Sequence, residues 1–197
     1  MTTAATRRRS RDERILLTRI TWEEYEAVRR ALWEHPGIRV EYLEGDLEIM
    51  SPSREHDGRK STIGRLVETW SLERRVRLYA FGSTTFRRKA KERGIEPDEC
   101  YCLVPDREFP DLAIEVGVTP GGIDRLAIYQ GLEVPEVWFF ENGKFRVYGL
   151  GPEGYRTPSR SEVLPDLDLE RLAHHVLQPD QHDAVVAWQE ELRRGTK

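Results

Sequence analysis

At 197 residues, 38% hydrophobic and 34% charged, the chain has room for one domain with helical additions and the composition of a soluble globular protein. No apolar run approaches the ~18–20 residues that span a bilayer, and the Arg-rich N-terminus lacks the apolar core of a secretory signal, which sets aside membrane and exported classes. A net charge of −4 excludes binding nucleic acid through an overall basic field, yet residues 1–20 carry six arginines against Asp12 and Glu13, and RRKAKER at 87–93 carries five basic residues against Glu92.

Residues 1–17, small, polar and Arg-rich, read as a flexible basic tail, with a single domain over 18–197. Thr21 with Glu24 forms a capping-box pattern that opens a helix to about Glu34, with an apolar stripe of Trp22, Tyr25, Val28 and Leu32, stopped by Pro36-Gly37. RVEYLEGDLEIM reads as a hairpin turning near Glu44-Gly45-Asp46, and Ser51-Pro52-Ser53 starts a second helix buried through Ile63, Leu66, Val67 and Trp70. VRLYAF from Val76 reads as a strand and TTFRRKA as an extended piece leading into a basic loop. Gly121-Gly122 precedes a short helix, and EVWFFENGKFRVYGL is a hairpin, because Asn142-Gly143 suits a type I′ turn. LDLERLAHHVL and the segment from Asp180 to Arg194 read as two C-terminal helices, an extension over about 165–195 on a core of about 38–150.

The most informative stretch is PDECYCLVPDREFPDLAIE at 97–115, two short strands with a Pro- and Asp-containing connection. In the second, Leu112, Ile114 and Val116 alternate with Asp111, Ala113 and Glu115, so Glu115 opposes the apolar face. In the first, Asp98, Cys100 and Cys102 share a face. Antiparallel pairing across 104–110 brings Asp98 beside Glu115. Two converging carboxylates are costly unless water, a proton or a cation separates them, and oxygen ligands suit Mg2+ or Mn2+. The same acids on a solvated sheet edge are the plainer alternative. Cys100 and Cys102, the sole cysteines, lack a second ligand pair for zinc and read as reduced buried thiols, which fits a cytoplasmic protein.

The order helix 53–73, strands 76–81, 98–104 and 111–118, helix 122–131 and strand 136–140 resembles the PD-(D/E)XK nuclease fold. YLEGDLEIMSPSREH (42–56), GSTTFR (82–87), EPDECYCLV (96–104), FPDLAIEV (109–116) and DRLAIYQGLEVPEVW (124–138) resemble the Uma-two family within that superfamily. The resemblance implies an α+β fold, with a restriction-endonuclease-like mixed sheet flanked by helices, an N-terminal helix and hairpin, and C-terminal helices. It also implies a Mg2+- or Mn2+-dependent endonuclease acting on DNA, with Asp98 and Glu115 as metal ligands and with His56 and Glu44 near the site. The superfamily lysine two residues after the glutamate is Gly117 here. The alternative lysine position, four residues before Tyr129, is Arg125, which supplies charge and fork-like donors but cannot act as a base. A nuclease-fold module that binds DNA or a protein partner without cutting is the alternative function. A self-associating protein using Trp138, Phe139 and the C-terminal helices, for instance as a homodimer, is a third. Asp111, one strand length from Glu115, reads as structural.

Overall fold

The computed structural model describes residues 12–195 except residues 36, 83 and 118–121. The tail segment 1–11, Val118 and Gly121 lie outside the described residues. Two sheets and five α-helices are formed among those described, the restriction-endonuclease-like α+β architecture that the element order implied.

The smaller sheet is antiparallel, ordered β1 (Glu13–Leu17), β3 (Asp46–Ser51), β2 (Arg39–Leu43), β6 (Arg93–Ile95) and β5 (Phe86–Arg88). Residues 13–17, assigned from sequence to the flexible tail, are thus an edge strand pairing with β3 from Glu13↔Ser51 to Leu17↔Leu47. The hydrophobic run Ile15-Leu16-Leu17 satisfies its backbone there, which a composition dominated by neighbouring arginines conceals. Helix α1 (Trp22–Leu32), with its capping box at Thr21 and Glu24, covers one face of this sheet. Trp22 and Tyr25 pack there on Val40, Tyr42 and Leu47, the two tyrosine rings stacking at 4.9 Å.

The larger sheet is ordered β11 (Gly154–Arg156), β10 (Lys144–Gly151), β9 (Glu136–Glu141), β8 (Leu112–Val116), β7 (Glu99–Cys102) and β4 (Tyr79–Ala80). Among the described strands β8 and β9 are the one parallel pair, and α3 (Arg125–Gly131) is their crossover. Asn142 and Gly143 both take positive φ, 50° and 75°, as the β9–β10 turn requires. One face of this sheet, through Leu112, Ile114, Val116, Trp138 and Phe140, packs on α2 (Arg54–Arg74), α4 (Leu169–Val176) and α5 (Gln181–Arg194). The other, through Cys100, Ala113, Val137 and Phe139, packs on Ile128 and Tyr129 of α3. Trp138 and Phe139 are therefore core side chains. Cys100 and Cys102 are free and buried, and burial pushes the Cys100 thiol up to about 12. No described helix is long and apolar enough to cross a membrane.

The 87–93 run is not a free basic loop. It forms β5, a 3-10 turn and β6, and most of its cations meet this chain's own acids: Lys89 with Glu23 at 2.9 Å, Arg88 with Glu133 at 3.1 Å, and Arg93 with Glu44 at 2.8 Å.

Candidate active site

Strands β7 and β8 pair antiparallel with Glu99↔Ile114 and Cys100↔Ala113, so one further residue along the register sets Asp98 opposite Glu115. Both carboxylates are fully buried. This is the convergence inferred from the alternation of the two strands, and the rest of the fold brings side chains to it from three directions.

From α2 comes His56. Ser53 caps the helix by accepting the His56 N–H at 3.2 Å, which fixes the first turn and directs the imidazole inward. Its Nε2 lies 2.7 Å from Asp98 Oδ1, and its Nδ1 lies 3.2 Å from Asp12 Oδ2. Burial alone would depress the imidazolium, but the hydrogen bond and charge of Asp98 outweigh burial and hold His56 above its ordinary value. In the sequence a histidine at a helix start is ordinarily a surface residue; here it is buried.

From α3 come Arg125 and Tyr129, one turn apart on one helix face. Arg125 Nη1 donates to Glu115 Oε2 at 2.9 Å, and the Tyr129 hydroxyl donates to Glu115 Oε1. From the smaller sheet come Arg39, which ion-pairs with Asp98 Oδ1, and two glutamates that the sequence reading did not single out. Glu41 and Glu48 are direct cross-strand partners in the β2–β3 hairpin, both buried. Like charges facing each other destabilise a hairpin unless each is paired. Arg125 Nε donates to Glu41 Oε2 at 3.0 Å, while Arg14 Nη1 donates to Glu48 Oε1 at 3.1 Å and the Ile123 N–H to Glu48 Oε2 at 3.0 Å. The signal was legible in principle: Arg39 and Glu41 alternate with Val40 and Tyr42, so the hairpin has one charged and one apolar face.

Glu44, which the resemblance implies to lie near the site, is not in this cluster. It sits in the hairpin turn at φ 46°, its side chain 63% exposed and paired with Arg93 at 2.8 Å. The turn faces outward, so the hairpin delivers acids from its strands. Asp111 is structural, accepting the Leu103 N–H at 2.8 Å and pairing with Arg107 at 2.7 Å. Gly117 has φ 74°, in the left-handed region that favours glycine, which accounts physically for the absence of a lysine there.

Burial would raise Asp98, but His56, Arg39 and the Val116 N–H, which donates to Oδ2 at 2.7 Å, hold it far below the usual carboxylate range. Glu115 goes the other way: burial pushes it up, Arg125 pulls it down, and the charges of Asp98 and Glu41 leave it above its ordinary value. Opposite shifts of two carboxyl groups in one buried site make it a candidate functional site. An apolar replacement of such a cluster would serve stability as well or better.

The cluster opens at His56 and Arg125 onto a cleft of about 980 Å3. Arg14, Arg59 and Arg146 also line it, against Glu55, Asp124 and Glu141, with Phe139, Phe140 and Tyr148 as the aromatic part of its wall.

A divalent ion does not fit these acids as the free chain arranges them. Asp98 already takes Arg39, His56 and the Val116 N–H, and Glu115 takes Arg125 and Tyr129. Among the described residues no three His, Cys, Asp or Glu side chains are grouped to hold an ion.

No curated protein matches the chain. A family model does match it, over residues 22–178, the span that contributes α1, both sheets apart from β1, and every site side chain except Asp12 and Arg14. That model is described as "Uma2: Putative restriction endonuclease", and its match over most of the sequence shows that this chain belongs to the Uma2 family.

Proposed function

We propose that the protein is an endonuclease that hydrolyses phosphodiester bonds of DNA in the cleft beside Asp98 and Glu115. The observation that carries this proposal is that His56 and Arg125, both in the cleft wall, are bonded directly to those two buried carboxylates. A phosphate in the cleft thus lies beside a guanidinium and an imidazole whose positions are fixed from behind, an arrangement suited to offsetting the negative charge on its phosphoryl oxygens. Family membership supports a nuclease in general. A second reading, a module that holds nucleic acid without cutting it, is favoured by one contact: Arg125 already joins Glu41 to Glu115 and leaves those acids engaged.

Supercoiled plasmid incubated with wild type, Asp98→Asn and Glu115→Gln, each in Mg2+, Mn2+ and EDTA, separates them. Nicking by the wild type that both variants lose by more than ~100-fold supports the endonuclease. Salt-sensitive plasmid retention with no nicking in any buffer refutes it in favour of the binding module.

A further inference from the structure

We propose that Arg125 stands in for a divalent ion: its guanidinium holds Glu41 and Glu115 together, the free chain takes up no Mg2+ or Mn2+ between them, and removing the guanidinium opens that position to the ion.

One planar cation makes every link. Nε donates to Glu41 Oε2 at 3.0 Å, Nη2 lies 2.8 Å from Glu41 Oε1, and Nη1 donates to Glu115 Oε2 at 2.9 Å. Nη2 also reaches Met50 Sδ at 3.7 Å. The two glutamates belong to different sheets, so the side chain ties β2 to β8 through charge-assisted hydrogen bonds. Arginine suits this because its donors are splayed in a fixed fork; a lysine ammonium is a point donor on a flexible stem and lacks that preorganised geometry. The electrostatic task, neutralising two buried carboxylates that cannot otherwise both ionise, is the one a hard divalent cation performs with oxygen ligands.

A second observation points the same way. Glu41 Oε1 is fully buried and, although close to Nη2, accepts no hydrogen bond among the described residues. It is an oxygen whose directional need the guanidinium does not meet and a spherical ion would. The position is also reachable, since Arg125 forms part of the cleft wall.

The test is calorimetric titration of the full chain with Mn2+, in wild type, Arg125→Ala and Arg125→Gln, with thermal melting in millimolar Mn2+ on the same samples. Arg125→Gln keeps amide donors and much of the side-chain volume, so it covers the case in which the alanine variant does not fold. The expected result is no saturable ion in the wild type and one Mn2+ per chain in the variants. Their affinity should be at least ~100-fold greater, with a melting temperature that rises on adding the ion. Adding Glu115→Gln to Arg125→Gln should remove both effects. One Mn2+ bound by the wild type and lost in Glu115→Gln overturns the proposal, as do folded variants that gain no ion. Plasmid nicking plays no part in this readout. A variant that gains the ion while no form of the protein cuts refutes the endonuclease and leaves the role of Arg125 standing.

Discussion

Arg39→Met is the sharpest test of how the buried charges are balanced. Arg39 is 4% exposed and pairs with a fully buried Asp98, and removing one member of such a pair strands the other, at a cost of ~3–5 kcal/mol. Asp98 would keep two partners, His56 Nε2 and the Val116 N–H, each at 2.7 Å, which places the loss near ~3 kcal/mol, the lower end of that range. Asp98→Asn strands Arg39 instead, with Glu115 and Glu96 close enough to offset part of its charge, and should cost a similar amount. Because each change removes the reason for the other's penalty, the double variant should cost less than the sum by ~2 kcal/mol.

Urea unfolding at pH 7, with m unchanged between variants, measures this cycle. Acidity supplies an internal check. Asp98 is depressed in the folded chain, so its contribution is present above the ordinary aspartate value of ~3.9 and is lost as pH falls through the folded value. Arg39→Met moves the folded value up, so the variant loses less stability on acidification and the gap from wild type narrows below pH ~4. Additivity within ~0.5 kcal/mol, or a gap independent of pH, would show that Arg39 and Asp98 do not act as a pair.

Two further predictions concern acids away from the cleft. Glu136 is buried with no cation paired to it among the described residues, and its carboxylate accepts from Trp138 Nε1 at 2.6 Å, Ser161 Oγ at 2.5 Å, the Glu162 N–H at 2.6 Å and the Val163 N–H at 3.3 Å. Glu136→Ala orphans those donors and should cost ~3–4 kcal/mol by urea unfolding; a loss under ~1 kcal/mol would mean water replaces the carboxylate. Glu99 packs half-buried against Gly64 of α2, and burial, with help from Glu68 and Asp98 against Lys60, pushes it up to about 7. A raised carboxyl contributes stability below its unfolded value of ~4.3 that is lost as pH climbs through 7. After discounting for its solvent exposure the swing is ~1–2 kcal/mol. Glu99→Gln should flatten that part of the melting profile between pH 4 and 8, and an unchanged profile would assign the loss elsewhere.

Local pattern and spacing alone determined most of the helices, the two hairpins and the Asp98–Glu115 convergence. Period-two alternation fixes which face a strand residue takes, and Thr21, Ser53 and Asn142-Gly143 act on their immediate neighbours. The same rule places Glu41 and Glu48 face to face, but nothing local says whether that face meets water or the other sheet. Tertiary structure decided that, and with it the identity of the site acids: the turn residue Glu44 points outward while strand residues Glu41 and Glu48 are buried. It also decided the fate of the cations. A run such as 87–93 reads as a basic patch until long-range contacts with Glu23, Glu44 and Glu133 spend its charge, whereas Arg39, unremarkable in the chain, and Arg125, marked there only by the family resemblance, become the buried counter-ions of the site. Charge balance is a sum over distance in three dimensions, and sequence separations of 59 residues for Arg39–Asp98 and 84 for Arg125–Glu41 carry no trace of it.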